Sequence, residues 1–330
     1  MADHAEQPYH IPALLPQVIE GLDIHPDGVY VDVTFGGGGH SRAIVEKLSE
    51  SGHLYSFDQD PDAIERAFVD SRLTLIHANF RYLTNFMAYH DVDGVDGLLA
   101  DLGVSFHHFD DPERGFSFRW DDSPLDMRMN PHSKVTGAQI LEESDETRLA
   151  EIFRLYGEFK NASALARAIV KARTSGTALR TAADLRSVVQ PLINPAHEKK
   201  DLACIYQALR IVVNNELDVL KKLLVSAAQV IRPGGRIAII TYHSLEDRLV
   251  KNFFKTGNLE GNVEKDFFGN IAAPFRPLGN KPITPDTDEV ERNPRSRSAK
   301  LRIAVRRLQY HTSFITSDKV NNRLYGKEDC

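Results

Sequence analysis

Four consecutive glycines stand where a strand pattern gives way to a helix pattern, in Val31-Asp32-Val33-Thr34-Phe35-Gly36-Gly37-Gly38-Gly39-His40. Residues 28–35 form an apolar run of strand type, and residues 41–50 an amphipathic run of helix type. A glycine-rich turn between a strand and a helix lets a ligand approach bare backbone. A second strand pattern, Leu54-Tyr55-Ser56-Phe57, ends in Asp58. An acid about 20 residues beyond the glycines, at the end of the second strand, is placed to hold ribose hydroxyls. The first half of the chain is therefore expected to bind a nucleoside-containing cofactor.

The spacing narrows the choice of cofactor. The dinucleotide fingerprint needs a third glycine, and Ser41 occupies that place. Asp32 followed by Gly36 and Gly38 is the spacing of S-adenosylmethionine sites in Rossmann-like methyltransferases, with Thr34 where their first glycine usually falls.

Beyond Asp58 the patterns keep alternating: helix at 61–69, strand at 73–77, helix at 80–89 and buried strand at 95–101. Such alternation implies a parallel sheet with helices on its faces. The next strand pattern waits until Arg236-Ile237-Ala238-Ile239-Ile240-Thr241-Tyr242, far beyond the dozen or so residues a parallel crossover needs. The intervening stretch is helical in pattern at 136–156, 162–174, 181–189 and 201–230, the last interrupted at Asn214-Asn215. The expected architecture is α/β: a Rossmann-like sheet of class I methyltransferase type in two segments, 1–114 and 206–330, with a helical domain inserted at 115–205. Residues 256–292 read as a long loop and residues 300–308 as a final edge strand.

Composition closes off other classes. With 330 residues, 42% hydrophobic, 26% charged and a net charge of −6, the chain matches a globular protein large enough for two domains. Its two cysteines cannot build a zinc or iron–sulfur framework, and no metal is expected. No signal-type segment opens the chain and no run of about 18 apolar residues exists, so a cytoplasmic protein is expected. Positive charge is concentrated locally. Residues 291–307 carry seven Lys or Arg against one acid, and residues 160–186 six against one. Such concentrations suit phosphate contacts whatever the net charge, although each is also compatible with a solvated face.

Strand ends collect the candidate chemistry, because ligands of such folds bind outside the carboxyl ends of the strands. They supply Asp32 with the glycines, then Asp58, then Asn79-Phe80, then Asp101-Leu102-Gly103. Phe80 suits either adenine stacking or helix core. Residues 114–120, Arg-Gly-Phe-Ser-Phe-Arg-Trp, suit either unpaired bases or a packed hinge. After the fifth strand come His243 and Ser244, followed by Glu246, Asp247 and Arg248 as an expected solvated first helical turn.

Taken in order, Asp32-x-Thr34-x-Gly36-x-Gly38-Gly39-His40-Ser41, Asp58-Gln59-Asp60-Pro61, Asp101-Leu102-Gly103-Val104-Ser105, Glu113-Arg114-Gly115-Phe116-Ser117-Phe118, Pro124-Leu125-Asp126-Met127-Arg128-Met129, Gln207-Ala208-Leu209-Arg210-Ile211, His243-Ser244-Leu245-Glu246-Asp247-Arg248 and Asn293-Pro294-Arg295-x-Arg297-Ser298 resemble the RsmH (MraW) family. The similarity runs from about His10 to Arg307. That family methylates the exocyclic amine of a decoding-centre cytidine in small-subunit ribosomal RNA.

The resemblance implies S-adenosylmethionine contacts at Gly38, Gly39, His40, Asp58, Phe80 and Asp101. It also implies one at His108, where many members carry glutamine. An imidazole can still donate or accept there. The segment before Gln207 departs from the Thr-Arg form of many members, so no RNA-contacting arginine is assigned to it. Asp101 is the expected acceptor for the target amine or the cofactor's amino acid end, and His243 a second candidate for the proton. The 16S ribosomal RNA, within the small subunit, is the implied partner, met by Arg295, Arg297, Arg302, Lys160, Arg167 and Lys171. Two rival readings are a nicotinamide oxidoreductase of Rossmann type and a non-catalytic RNA-binding assembly factor. Ser41 opposes the first, and the intact acids and glycines oppose the second.

Overall fold

The computed structural model describes residues 12–104, 106–265, 269 and 271–308; the side chains of Phe106 and His107 lie outside the description, as do His10 and Ser105 of the motifs above. The chain divides into two compact units, one drawn from Met1–Asp58, Arg66–Leu102 and Leu220–Cys330, the other from Gln59–Glu65 and Gly103–Val219.

Among the described residues of the first unit, seven strands form one sheet: β1 Val29–Asp32, β2 His53–Asp58, β3 Leu73–His77, β4 Val95–Asp101, β5 Ile231–Thr241, β6 Phe275–Pro277 and β7 Lys300–Arg306. Their order is β3-β2-β1-β4-β5-β7-β6. The pairs from β3 to β5 are parallel, while β7 runs antiparallel to both β5 and β6. This is the expected Rossmann-like sheet, with the order reversing beside β1. Central strands of parallel sheets are covered on both faces, so they read as continuous apolar runs. Leu98, Leu99 and Ala100 of β4 and Ile237, Ala238, Ile239 and Ile240 of β5 are accordingly fully buried.

The edge differs from the expectation at 300–308. β7 lies inside the sheet, because β6 pairs along its outer side, with Phe275 opposite Arg306 and Pro277 opposite Ala304. The residues 256–292 expected as loop thus contain a strand and a helix, Thr287–Arg292. A three-residue strand ending in proline leaves almost no periodic signal, and proline is tolerated at a sheet edge because its missing N–H faces away from the ladder.

The second unit is helical. Its core gathers Phe116, Leu125, Met127, Leu141, Phe153, Leu165, Leu185, Ile205 and Leu209, each worth about 1.5–3 kcal/mol when fully buried. The 136–156 pattern resolves into Gly137–Glu143, opened by a capping box between Thr136 and Gln139, and Glu146–Leu155, opened by Asp145. Such caps satisfy N–H groups that a helix start leaves without partners, at about 1 kcal/mol each. Helices Ala162–Thr174 and Ala182–Val189 fall where periodicity places them. The long pattern breaks at the asparagines into Glu198–Asn214 and Glu216–Val230. Asn215 adopts the left-handed conformation (φ 53°), which asparagine tolerates. The Asn214 amide donates to Met127 O at 2.8 Å and its oxygen accepts from Met129 N at 2.8 Å, tying the helix end to the Pro-Leu-Asp-Met-Arg-Met segment.

Candidate functional site

Parallel strands place their carboxyl ends side by side, and here three of those ends are acids. Asp32 ends β1, in register with Ser56 of β2 and Leu99 of β4; Asp58 and Asp101 end β2 and β4. Asp32 is fully buried. Its carboxylate accepts from the Thr34 N–H (3.0 Å), the Thr34 hydroxyl (3.3 Å) and the Ser41 hydroxyl (2.7 Å). Burial pushes its pKa up to about 6, against the pull of those bonds. Thr34 serves both neighbouring strands: its oxygen also accepts the backbone N–H of Asp101 at 2.7 Å. A glycine at that position would keep the backbone bond to Asp32 but lose both hydroxyl bonds.

Asp101 accepts the Tyr242 hydroxyl at 2.8 Å. Burial raises its pKa to about 7; the Tyr242 bond opposes the rise, and the charges of Asp32 and Glu246 add to it. His40 is buried and its Nε2 lies 3.0 Å from Ala13 O. A carbonyl only accepts, so Nε2 carries the proton and Nδ1 faces Asp101 Oδ2 at 3.6 Å with its lone pair. Burial drives the imidazole pKa down to about 4, which keeps the ring neutral.

The glycines divide by task. A methyl on Gly38 would lie 2.8 Å from the Phe35 ring, and one on Gly39 2.8 Å from Pro12, so these two are glycines because the protein packs against them. At Gly37 a methyl would meet nothing within 4 Å. Gly36 (φ +53°) donates its N–H to Asp58 Oδ2 at 2.8 Å, which fixes the turn to the acid that ends β2. The open face at Gly36 and Gly37, beside a half-exposed Asp58, suits a nucleoside-bearing ligand lying along backbone. Phe80 opens a short turn after β3 and is half-buried against the sheet core, with part of its ring left exposed.

The first unit thus brings together Gly38, Gly39, His40, Asp58, Phe80 and Asp101. His108 falls in the second unit, where its Nε2 lies 2.5 Å from Asp60 Oδ2 and 3.0 Å from an Arg114 nitrogen, its ring stacked on Phe116. Burial works against the Asp60 charge, but His108 and Arg114 outweigh it and hold the carboxyl below its ordinary range. Phe116 and Phe118 are packed inside this unit, Phe118 edge-on to Tyr206, so both rings belong to its core rather than standing free for base stacking.

Two expectations need correction. Of residues 246–248 only Arg248 is exposed; Glu246 and Asp247 are not part of a solvated turn. Glu246 is only 3% exposed and accepts from the backbone of Tyr242 (2.9 Å) and His243 (3.4 Å). His243 in return caps helix Ser244–Thr256 through Nδ1, with Nε2 3.2 Å from Glu246 Oε1. The imidazole is thereby a helix cap. Arg302 is likewise no free phosphate ligand: it holds Asp247 at 2.7 and 3.2 Å with its side chain 10% exposed. Arg297 and Lys160 and Lys171 are exposed, Arg295 half-buried, and Arg167 exposed 3.4 Å from Glu146.

The model of the MraW methylase family matches residues 7–307. The chain belongs to that family. It is 57% identical over 299 residues to Ribosomal RNA small subunit methyltransferase H of Bacteroides thetaiotaomicron, covering 91% of this chain and 98% of the relative. It is 58% identical to the protein of that name from Parabacteroides distasonis (90% and 97%) and 54% identical to that of Porphyromonas gingivalis (91% and 97%). Membership in a methylase family sets aside the nicotinamide reading and makes S-adenosylmethionine the methyl donor that the open glycine turn and Asp58 fit. Sequence reasoning overlooked Thr34, Ser41 and Tyr242 as parts of the site. The first two stand within the glycine motif, and Tyr242 adjoins the carboxyl end of β5, where the strand-end rule points.

Proposed function

We propose that this methylase transfers the methyl group of S-adenosylmethionine to the exocyclic N4 amine of a decoding-centre cytidine in 16S ribosomal RNA, acting on the small subunit in the cytoplasm. The full-length similarity to methylases named for small-subunit ribosomal RNA carries the reading. In it, Asp58 takes the ribose hydroxyls, Phe80 lies against the adenine, and Gly38, Gly39 and His40 border the amino acid end. His108 is carried as a cofactor contact on the resemblance alone.

The chemistry assigns Asp101 its place. The amine's lone pair is delocalised into the cytosine ring, which makes it a poor nucleophile. A carboxylate that accepts its N–H bonds turns the lone pair toward the incoming methyl and holds the reactants in line. Asp101 supports this role because it ends a central strand, with its backbone fixed by Thr34 and one oxygen fixed by Tyr242. His243 is a weaker acceptor, being bound up in its helix cap. The helical unit, through Lys160, Arg167 and Lys171, and the turn bearing Arg295 and Arg297 would position the RNA. Purified protein incubated with methyl-labelled S-adenosylmethionine and small subunits from a strain lacking this enzyme should label 16S RNA. Absence of label under conditions where the protein binds the cofactor would refute the proposal.

A further inference from the structure

Tyr242 has no part in the chemistry so far, yet among the described residues its hydroxyl is the nearest side-chain donor to Asp101, at 2.8 Å from Oδ1. The residue is held from three sides. Its backbone N–H donates to the buried Glu246, its position at the end of β5 is set by the ladder that pairs Ile240 with Asp101, and its ring packs with the core around Leu99 and Ile240. The hydroxyl is thus delivered to Asp101 by a rigid frame. Through its other oxygen, Asp101 faces the lone pair of His40 Nδ1 at 3.6 Å.

We infer that Tyr242 is a positioning residue of the methyl transfer, whose hydroxyl fixes the rotamer of Asp101 and favours its ionised form. The inference rests on the role proposed above for Asp101. A hydrogen bond donated to a carboxylate favours the charged form. The charged groups around Asp101 otherwise oppose that form: Asp32 from β1 and Glu246 from the helix after Tyr242 are acids, and His40 is neutral. Burial and the adjacent Asp101 charge push the Tyr242 phenol well above its ordinary range, with Glu246 and Glu289 adding to the rise, so it stays protonated and remains a donor across the physiological range. With Asp101 balanced near pH 7, loss of this donor tips the carboxyl toward its protonated form, which no longer accepts both amine hydrogens.

Tyr242→Phe keeps the ring and its packing and removes the hydroxyl. The first readout is independent of methyl transfer: carboxyl carbon NMR titration of the ligand-free protein, with the Asp101 signal assigned by its loss in Asp101→Asn. The Asp101 midpoint should rise by about one pH unit or more in Tyr242→Phe. The second is single-turnover methylation of small subunits across pH 6 to 9 at saturating cofactor. The acid limb of the variant should move up by a similar amount, so that the rate falls about fivefold or more at neutral pH and recovers toward wild type at pH 9. An unmoved Asp101 midpoint overturns the inference, as does a rate lowered equally at every pH. If Asp101→Asn itself methylates at the full rate across the range, the assignment of Asp101 fails instead, whatever the titration of Tyr242→Phe shows.

Discussion

Asp58 and Asp101 both end central strands, but their surroundings differ and so do their expected tasks. Asp58 is half-exposed and holds the glycine turn by the Gly36 N–H. Asp58→Ala removes the proposed ribose acceptor and should weaken S-adenosylmethionine by roughly 1.5–3 kcal/mol in titration calorimetry, the range for hydrogen bonds to charged groups. Wild-type affinity would show that the ribose is held elsewhere. Asp101 has a pKa raised to about 7 by burial. An acid with a raised pKa is protonated below it and becomes an acceptor only above, so saturated methyl transfer should climb as pH passes through about 7 and level off beyond. Asp101→Asn should lower saturated turnover by about 10²-fold or more and abolish that limb. A pH-independent wild-type rate would remove Asp101 from the transfer step. Both acids were legible because strand ends can be read from hydrophobic runs. Tyr242, Thr34 and Ser41 were not, since a hydroxyl in a strand-to-helix turn carries no period and gains meaning only once the strands are in register.

Elements show the same division between what has a period and what does not. Long amphipathic helices such as Ala162–Thr174 and the central strands β4 and β5 stand out in the sequence because burial on a fixed face repeats. The three-residue β6 and the His243–Glu246 cap do not, because each depends on a single partner far along the chain or on one side chain turning back on its own backbone. Misreading the last segment had a consequence for function: with β7 inside the sheet, Arg302 lies against Asp247 and its exposed neighbour in the preceding turn is Arg297. The two should separate cleanly. Arg297→Ala should weaken RNA binding and reduce the salt slope of binding isotherms by about one unit or less, with S-adenosylmethionine affinity unchanged. Arg302→Ala should leave that slope alone and lower unfolding stability by about 1–3 kcal/mol in denaturant titration, because Asp247, 16% exposed, loses its bidentate partner. A changed salt slope in Arg302→Ala would restore that arginine to the RNA-facing set.

At the scale of the molecule, the chain leaves the sheet after β4 and returns to it at β5, and the residues between build a helical unit with its own core. That organisation was visible as an interruption in the alternation of strands and helices. The limits of the units were less so: the helical unit takes in Gln59–Glu65 and begins at Gly103, since compactness is decided by contacts rather than by pattern. A methylase sheet accounts for the donor, and the proposed reading assigns the hold on a ribosomal RNA to the basic, exposed residues outside it. The central claim is that the methyl goes to the exocyclic amine of one cytidine in 16S RNA. Small subunits from a strain lacking this enzyme, incubated with the purified protein and S-adenosylmethionine and then digested to nucleosides, test it most directly by mass spectrometry. The account predicts a gain of N4-methylated cytidine that maps to a single decoding-centre fragment and disappears with Asp101→Asn. Methylation at a ring carbon, at another base, or at no position would contradict it.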